Sequence, residues 1–139
     1  EYDSYGFEVS LDGRDGEGFD WRVDYTFNDI DETFTDNLFA NAEFGERTPK
    51  HKARVELGYN TGPFDLNLIG QVRSGVDFFD GASVVERDTA VTVDARAGYQ
   101  VSEQVEMFVV GENLTGTNSF GNGGTDEDTR FRIGVRFAL

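Results

Sequence analysis

Residues 130–139 read RFRIGVRFAL, and this stretch decides the fold class of the chain. Apolar side chains occupy every second position from Phe131 to Leu139. The alternate positions, counted from Arg130, contain three Arg residues. Successive side chains of a β-strand point to opposite faces, so a strict period of two predicts a strand with one apolar and one polar face.

Six earlier segments of the chain show the same alternation. They are residues 5–11, 19–27, 51–59, 64–78, 91–99 and 105–110. The apolar faces of these segments carry no Asp, Glu, Lys or Arg, although the chain has 27 acidic and 12 basic residues. The sequence therefore predicts an all-β fold of about seven antiparallel strands, each with an uncharged face.

The overall composition excludes several classes of function. The formal net charge of −15 disfavours nucleic-acid binding, because phosphate contacts need clustered Lys and Arg. Cysteine is absent, which excludes disulfides and thiolate metal sites. No stretch has the roughly 18 apolar residues of a membrane helix, but a membrane strand needs only about 9–11 residues with every second one apolar.

Two all-β architectures explain an uncharged face. A soluble β-sandwich buries that face in its core, whereas a membrane barrel turns it towards lipid. The predicted connections favour the barrel because they alternate in length: those at 13–18, 60–63 and 100–104 are short, and those at 28–50, 79–89 and 112–129 are long. Short periplasmic turns and long outer loops are typical of outer-membrane barrels.

Two further patterns agree with a barrel. Aromatic residues of the apolar face gather near the short turns, as an interfacial girdle requires. They are Phe19, Trp21, Tyr59, Phe64 and Tyr99. The polar face carries both signs of charge, which predicts cross-strand ion pairs in a lumen. The candidates for such pairs are Arg130, Arg132 and Arg136 with Glu106 and Asp94.

The end of the chain resembles the assembly signal of outer-membrane barrels. That signal is a polar residue, any residue, Gly, two residues of any kind, a hydrophobic residue, any residue and a terminal hydrophobic residue. The matching positions are Arg132, Gly134, Phe137 and Leu139, with Leu where the terminal residue is usually Phe. The resemblance implies recognition by the barrel-assembly machinery.

Three motifs resemble the C-terminal barrel region of TonB-dependent receptors. They are Pro49-Lys50-His51 before the strand that leads to Leu57-Gly58-Tyr59, Val91-Thr92-Val93-Asp94 followed by Tyr99, and Asn113-Leu114 near the penultimate strand. The resemblance covers the chain from about Tyr5 to Leu139. It implies that residues 1–139 are the C-terminal segment of a barrel of about 22 strands, with the plug domain and the TonB box outside this chain.

The same resemblance implies a transporter and not an enzyme. The intact protein would take up a scarce nutrient, such as a ferric siderophore, cobalamin or a glycan, across the bacterial outer membrane. The expected partners are outer-membrane lipid, the TonB complex acting through the plug, and a small-molecule or glycan ligand. No cofactor is expected.

Candidate ligand contacts lie in the long connections and on the polar face beside them. They are Phe34, Phe39 and Phe44 in the connection at 28–50, and Arg73 and Asp77 at the end of the fourth strand. No catalytic site is expected, because the only imidazole, His51, falls on the apolar face. No metal site is assigned, although the acidic connections at 28–50 and 112–129 leave cation binding open.

Two other interpretations remain open. One is a small structural or adhesive outer-membrane barrel of about eight strands, which must close on itself. The other is a soluble sandwich that binds a partner, which must cover the apolar face with a second sheet. Strand count and closure distinguish the two barrels, and dependence on detergent distinguishes a barrel from a soluble sandwich.

Overall fold

The computed structural model describes residues 2–32, 48–79, 84–117 and 128–138. Nine strands lie in these ranges. They are β1 (Tyr2–Arg14), β2 (Phe19–Glu32), β3 (His51–Thr61), β4 (Phe64–Arg73), β5 (Val76–Phe79), β6 (Val84–Arg87), β7 (Ala90–Ser102), β8 (Val105–Glu112) and β9 (Arg130–Phe137). Within the same ranges, no helix is long and apolar enough to cross a membrane.

Seven of the strands form one antiparallel sheet in the order β1-β2-β3-β4-β7-β8-β9. The strands follow one another in the sheet in chain order, apart from β5 and β6, which form a separate hairpin. The sheet is therefore an up-and-down meander with β1 and β9 at its edges. The predictions of an all-β fold and of seven strands in the sheet are confirmed.

Tight turns at one end of the sheet set the register. Thr61 pairs with Phe64 across a two-residue loop, and Gly62 takes a positive φ of 53° there. Gly adopts such a backbone at no steric cost, which is why it suits hairpin loops of this length. The β7–β8 connection is just as short, whereas the connections at the opposite end of the sheet are long. The predicted alternation of connection lengths is confirmed.

The register keeps like side chains on one face through the whole sheet. Leu57 is the Cα partner of Leu68, and Leu68 is the partner of Ala95. On the other face, Asp24 is opposite Arg54, and Glu106 is opposite Arg136. A slip of one residue in any pair would move the uncharged row to the charged side, so the alternation itself holds the register.

The apolar face is uncovered in the part of the chain that the structure describes. Val76 and Ala90 are the buried hydrophobic residues of this part, whereas Phe131 is 70% exposed and Ile133 is 82% exposed. A soluble sandwich would seal these side chains between two sheets. The described ranges contain no second sheet against this face, so the sandwich interpretation is wrong for them.

The fourth predicted strand, residues 64–78, is not continuous. The structure ends β4 at Arg73, and β5 pairs instead with β6 in a separate two-stranded hairpin. Ser74 still donates its backbone N–H to the His51 carbonyl at 2.9 Å. Gly75 then passes so close to the Arg87 carbonyl oxygen that a Cβ would lie 2.6 Å from it, and the chain leaves the main sheet at this point.

Candidate functional site

The apolar face has an aromatic row at its short-turn end, as the sequence predicts. Phe19 is the Cα partner of Tyr59. Phe64 and Tyr99 face each other from β4 and β7, with 5.0 Å between their ring centroids. Aromatic rings at this depth suit the interface between lipid headgroups and hydrocarbon, and the Tyr rings add a polar hydroxyl to their apolar area.

A second aromatic cluster lies at the other end of the same face. Its rings belong to β1, β2 and the start of β3, and neighbouring centroids are 5.2–6.2 Å apart. The members are Tyr5, Phe7, Tyr25, Phe27 and His51. His51 is on the apolar face, as predicted, and its Nδ1 lies 2.8 Å from the Tyr25 hydroxyl. The sequence analysis missed this cluster, although two aromatic residues two positions apart in adjacent strands could have revealed it.

The first charge on the apolar face beyond that cluster is Asp29. Its carboxylate accepts a hydrogen bond from the Tyr5 hydroxyl at 2.7 Å and pairs with the Lys50 ammonium at 2.6 Å. Ten residues separate Phe19 from Asp29 along β2. That is about 34 Å of strand, or about 26 Å across a bilayer at a tilt of about 40°. The uncharged band thus has the height of about 25 Å that outer-membrane barrels require.

The polar face is held by cross-strand ion pairs. Arg96 bonds to both Asp65 and Glu106, and Arg136 reaches the other oxygen of Glu106 at 3.2 Å. Of the predicted pairings, that of Arg136 with Glu106 is confirmed, whereas Arg132 pairs with Glu112 instead. Arg130 and Asp94 form no ion pair within the described ranges. The ion pairs that do form let a polar wall carry charge without leaving it unsatisfied.

Phe108 is an apolar residue on the polar face, and its surroundings explain it. The ring lies over Gly134 of β9, so closely that a Cβ on Gly134 would overlap it. The guanidinium of Arg96 is 5.4 Å from the ring centroid, and that of Arg136 is 6.0 Å from it. Cation–π contacts from two Arg residues stabilise the ring in this position.

Two of the sequence motifs meet at the long-connection end of β7 and β8. Asn113 has a positive φ of 49° and is only 5% exposed. Its backbone N–H donates to the Asp94 carboxylate at 2.8 Å, and its carbonyl accepts from the Thr129 hydroxyl at 2.7 Å. Leu114 then folds back onto Gly111, where a Cβ would lie 2.7 Å from its Cδ2. The Asp of one motif and the Asn-Leu of the other therefore form one turn.

The polar face contains two depressions, and the first of them lies next to this turn. The first has a volume of about 250 Å³ and is lined by Gln71, Arg73, Thr92, Asp94, Glu112, Asn113, Asp128 and Arg130. The second has a volume of about 270 Å³ and is lined by Glu8, Arg22, Asp24, Thr26, Lys52, Ala53, Arg54, Gln71, Val72 and Arg73. Gln71 and Arg73 form the ridge between them and contribute to both.

The structure brings only one of the predicted ligand contacts into these depressions, namely Arg73. Asp77 lies in the β5–β6 hairpin, where its backbone is opposite Glu86, and not on the main sheet. Phe34, Phe39 and Phe44 lie outside the described residues. The sequence analysis missed Lys52, which lines the second depression together with Arg73. A signal for it was present, because counting back from the two-residue turn at Gly62 places Lys52 opposite Arg73.

No group of three His, Asp or Glu side chains in the described ranges is arranged to hold a metal ion. The predicted connection at 28–50 begins too early, because β2 continues to Glu32; Asp29 therefore lies in the sheet, where its carboxylate is paired with Lys50.

A sheet with an uncharged, aromatic-edged face and an opposite face of paired charges defines the wall of a transmembrane β-barrel. The chain belongs to the family of TonB dependent receptor-like β-barrels, whose family model matches residues 1–114. Members of this family are transport proteins of the bacterial outer membrane. The match ends at Leu114, in the turn where the two motifs meet. No curated protein sequence matches the chain.

Proposed function

We propose that the chain is the C-terminal segment of the barrel of a TonB-dependent transporter in the bacterial outer membrane. The transporter takes up a scarce nutrient, such as a ferric siderophore, cobalamin or a glycan. The observation that carries this proposal is the division of one sheet into a band that suits lipid and a polar wall with two depressions near the long connections. A polar lumen with recesses on the outer side is suited to holding a small hydrophilic ligand.

In this proposal, Arg73 contacts the ligand from the lumen wall. Phe34, Phe39, Phe44 and Asp77 contribute from the connections around it. The TonB complex acts through a plug outside residues 1–139, and lipid surrounds the apolar face. The nutrient is then released by movement of the plug and not by any chemistry of the barrel.

The last strand carries the proposed signal for the barrel-assembly machinery at Arg132, Gly134, Phe137 and Leu139. Support comes from the edge position of β9, whose outer side has no partner strand among the described residues. An unpaired edge offers backbone N–H and C=O groups to another strand. The same argument disfavours a small closed barrel, because β1 and β9 do not pair with each other in the described ranges.

Nutrient-limited growth of the source bacterium tests the proposed uptake. A strain that lacks the intact gene should fail to grow on one member of a panel of ferric siderophores, cobalamin and glycans as the limiting nutrient. The gene carried on a plasmid should restore growth only when TonB is present. Normal growth of the deletion strain on the whole panel, or restoration without TonB, would contradict the proposal.

A further inference from the structure

We propose that Lys52 and Arg73 form a binding site for an anionic oxygen group, either a carboxylate or a phosphate, on the lumen wall. The inference rests on the proposed function, because the polar face must line the lumen. The inference adds that the group bound at this position is negatively charged. It also adds Lys52, which is half-buried beside Arg73 in the second depression.

The two cations lie directly opposite each other. Lys52 is the Cα partner of Arg73 in the β3–β4 pair. Partner Cα atoms in an antiparallel pair are about 4.5–5.5 Å apart, and like charges at this spacing destabilise the sheet. The chain has more than twice as many acidic as basic residues, so carboxylates are not scarce. Yet neither Lys52 nor Arg73 forms an ion pair in the part of the chain that the structure describes.

Most other cations of the same face are compensated, the exceptions among the described residues being Arg14 at the end of β1 and Arg130 at the start of β9. Five of them contact a carboxylate in the structure: Arg22, Arg54, Arg96, Arg132 and Arg136. The pairing of these side chains leaves few acceptors near Lys52. Glu56 bonds to Arg54 at 2.6 Å, and Asp24 bonds to Arg22 at 2.9 Å and also accepts from Ser10.

The unengaged carboxylate that lines the second depression, Glu8, is not adjacent to the pair. Glu8 lies in the same row of the sheet, but Thr26 stands between Glu8 and Lys52. Two strand spacings separate Glu8 from Lys52, which is about 10 Å. Around this depression, four cationic side chains face two carboxylates, in a chain of net charge −15. The second depression is therefore locally positive at Lys52 and Arg73, whereas the first depression, which Arg73 also lines, contains the carboxylates of Asp94, Glu112 and Asp128.

The hydrogen-bonding groups here suit an oxyanion. Arg73 offers a fork of N–H donors, and Lys52 adds an ammonium with three more. The Arg73 contact in the structure is a long one of 3.5 Å to Gln71 Oε1, which orients the guanidinium but leaves most donors available. Thr26 also lines the depression and adds a hydroxyl. A carboxylate or phosphate bound between the cations would relieve their mutual repulsion.

The test uses the full-length receptor in detergent at low ionic strength, where screening is weak. Inorganic pyrophosphate is the probe, and its binding is measured by calorimetry. Lys52→Gln and Arg73→Gln should each weaken binding about tenfold or more, since each removes a charged hydrogen-bond donor. The matched control is Arg22→Gln, which removes one positive charge from the same depression but a charge already bonded to Asp24. The control should change the affinity less than threefold.

The melting temperature without pyrophosphate distinguishes two sources of the anionic group. If a carboxylate from another part of the intact chain occupies the site, pyrophosphate will not bind, and Lys52→Gln and Arg73→Gln will melt lower than the wild type. That result supports the site and identifies the group bound there as a carboxylate of the receptor itself. If pyrophosphate does not bind and both variants melt as high as the wild type or higher, the inference is overturned. TonB-dependent uptake, measured separately, would still stand in that case, so failure of the site is distinguishable from failure of the proposed function.

Discussion

Gly134 of β9 is a position where the side chain of the neighbouring strand determines which residue fits. It is the Cα partner of Phe108, and the absence of a side chain leaves room for the Phe108 ring, which also lies near the guanidinium groups of Arg96 and Arg136. The resemblance of the chain end to an assembly signal gives the same glycine a second role. A packing role and a recognition role predict different responses to substitution.

Gly134→Ala should destabilise the barrel by about 1–3 kcal/mol, because the added methyl group would displace the Phe108 ring. Urea unfolding of the full-length receptor in lipid vesicles measures the change. Phe108→Ala in the Gly134→Ala background removes the clash and should recover most of the stability. If the double variant is no more stable than Gly134→Ala alone, the ring does not explain the glycine.

Asn113 is a second residue whose backbone fixes its identity. Asn tolerates a positive φ better than most residues, and here its N–H and C=O groups bond to Asp94 and Thr129. Asn113→Ala should cost about 1–3 kcal/mol, since it loses the amide contacts and strains the backbone. Asn113→Gly keeps the backbone and loses only the amide, so it should cost less. Equal losses in urea unfolding would show that the positive φ contributes nothing.

At the scale of the element, most of the sheet could be predicted from the sequence. A period of two identifies a strand and its faces, and short turns between such strands leave little freedom in the register. Thr61 pairs with Phe64, and counting back from this turn places Lys52 opposite Arg73. The break after Arg73 could not be predicted. The alternation continues through Val76 and Phe78, and a four-residue strand is too short to be distinguished from the strand before it.

A pair of neighbours in β4 tests the assignment of the two faces. Leu68 lies between Leu57 and Ala95 on the apolar face, whereas Ile69 lies between Glu56 and Asp94 on the polar face. Leu68→Arg should destabilise the barrel by about 2–4 kcal/mol, the cost of a cation near the bilayer midplane. Ile69→Arg places the same cation between two carboxylates and should cost less than 1 kcal/mol, on the scale of surface ion pairs. Equal costs in vesicle unfolding would contradict the lipid-facing assignment.

At the scale of the whole molecule, the candidate site depends on contacts between distant segments, which the alternation of apolar and polar residues does not predict. The sequence analysis identified Arg73, but each of the two depressions around it is lined by four strands that only the register brings together. The turn at Asn113 joins two motifs that lie 19 positions apart in the chain. Alternation identifies which face a residue occupies, and it contains no information about which residue of a distant strand lies beside it.

The arrangement of the whole sheet predicts a pattern of accessibility across the membrane. In a cysteine-free full-length receptor, spin labels at Val9, Val23, Val55, Leu68 and Val109 should collide often with oxygen, which dissolves in lipid. Labels at the next residue along each strand should collide instead with a water-soluble nickel reagent, because the lumen is wetted. The contrast should invert at every step along a strand, since adjacent side chains point to opposite faces. A second set of strands packed against the apolar face would exclude both reagents from the first five sites. Low oxygen accessibility there would therefore contradict a lipid-facing wall, whereas alternation at all five sites would show that five of the seven strands of the sheet face lipid on the same side.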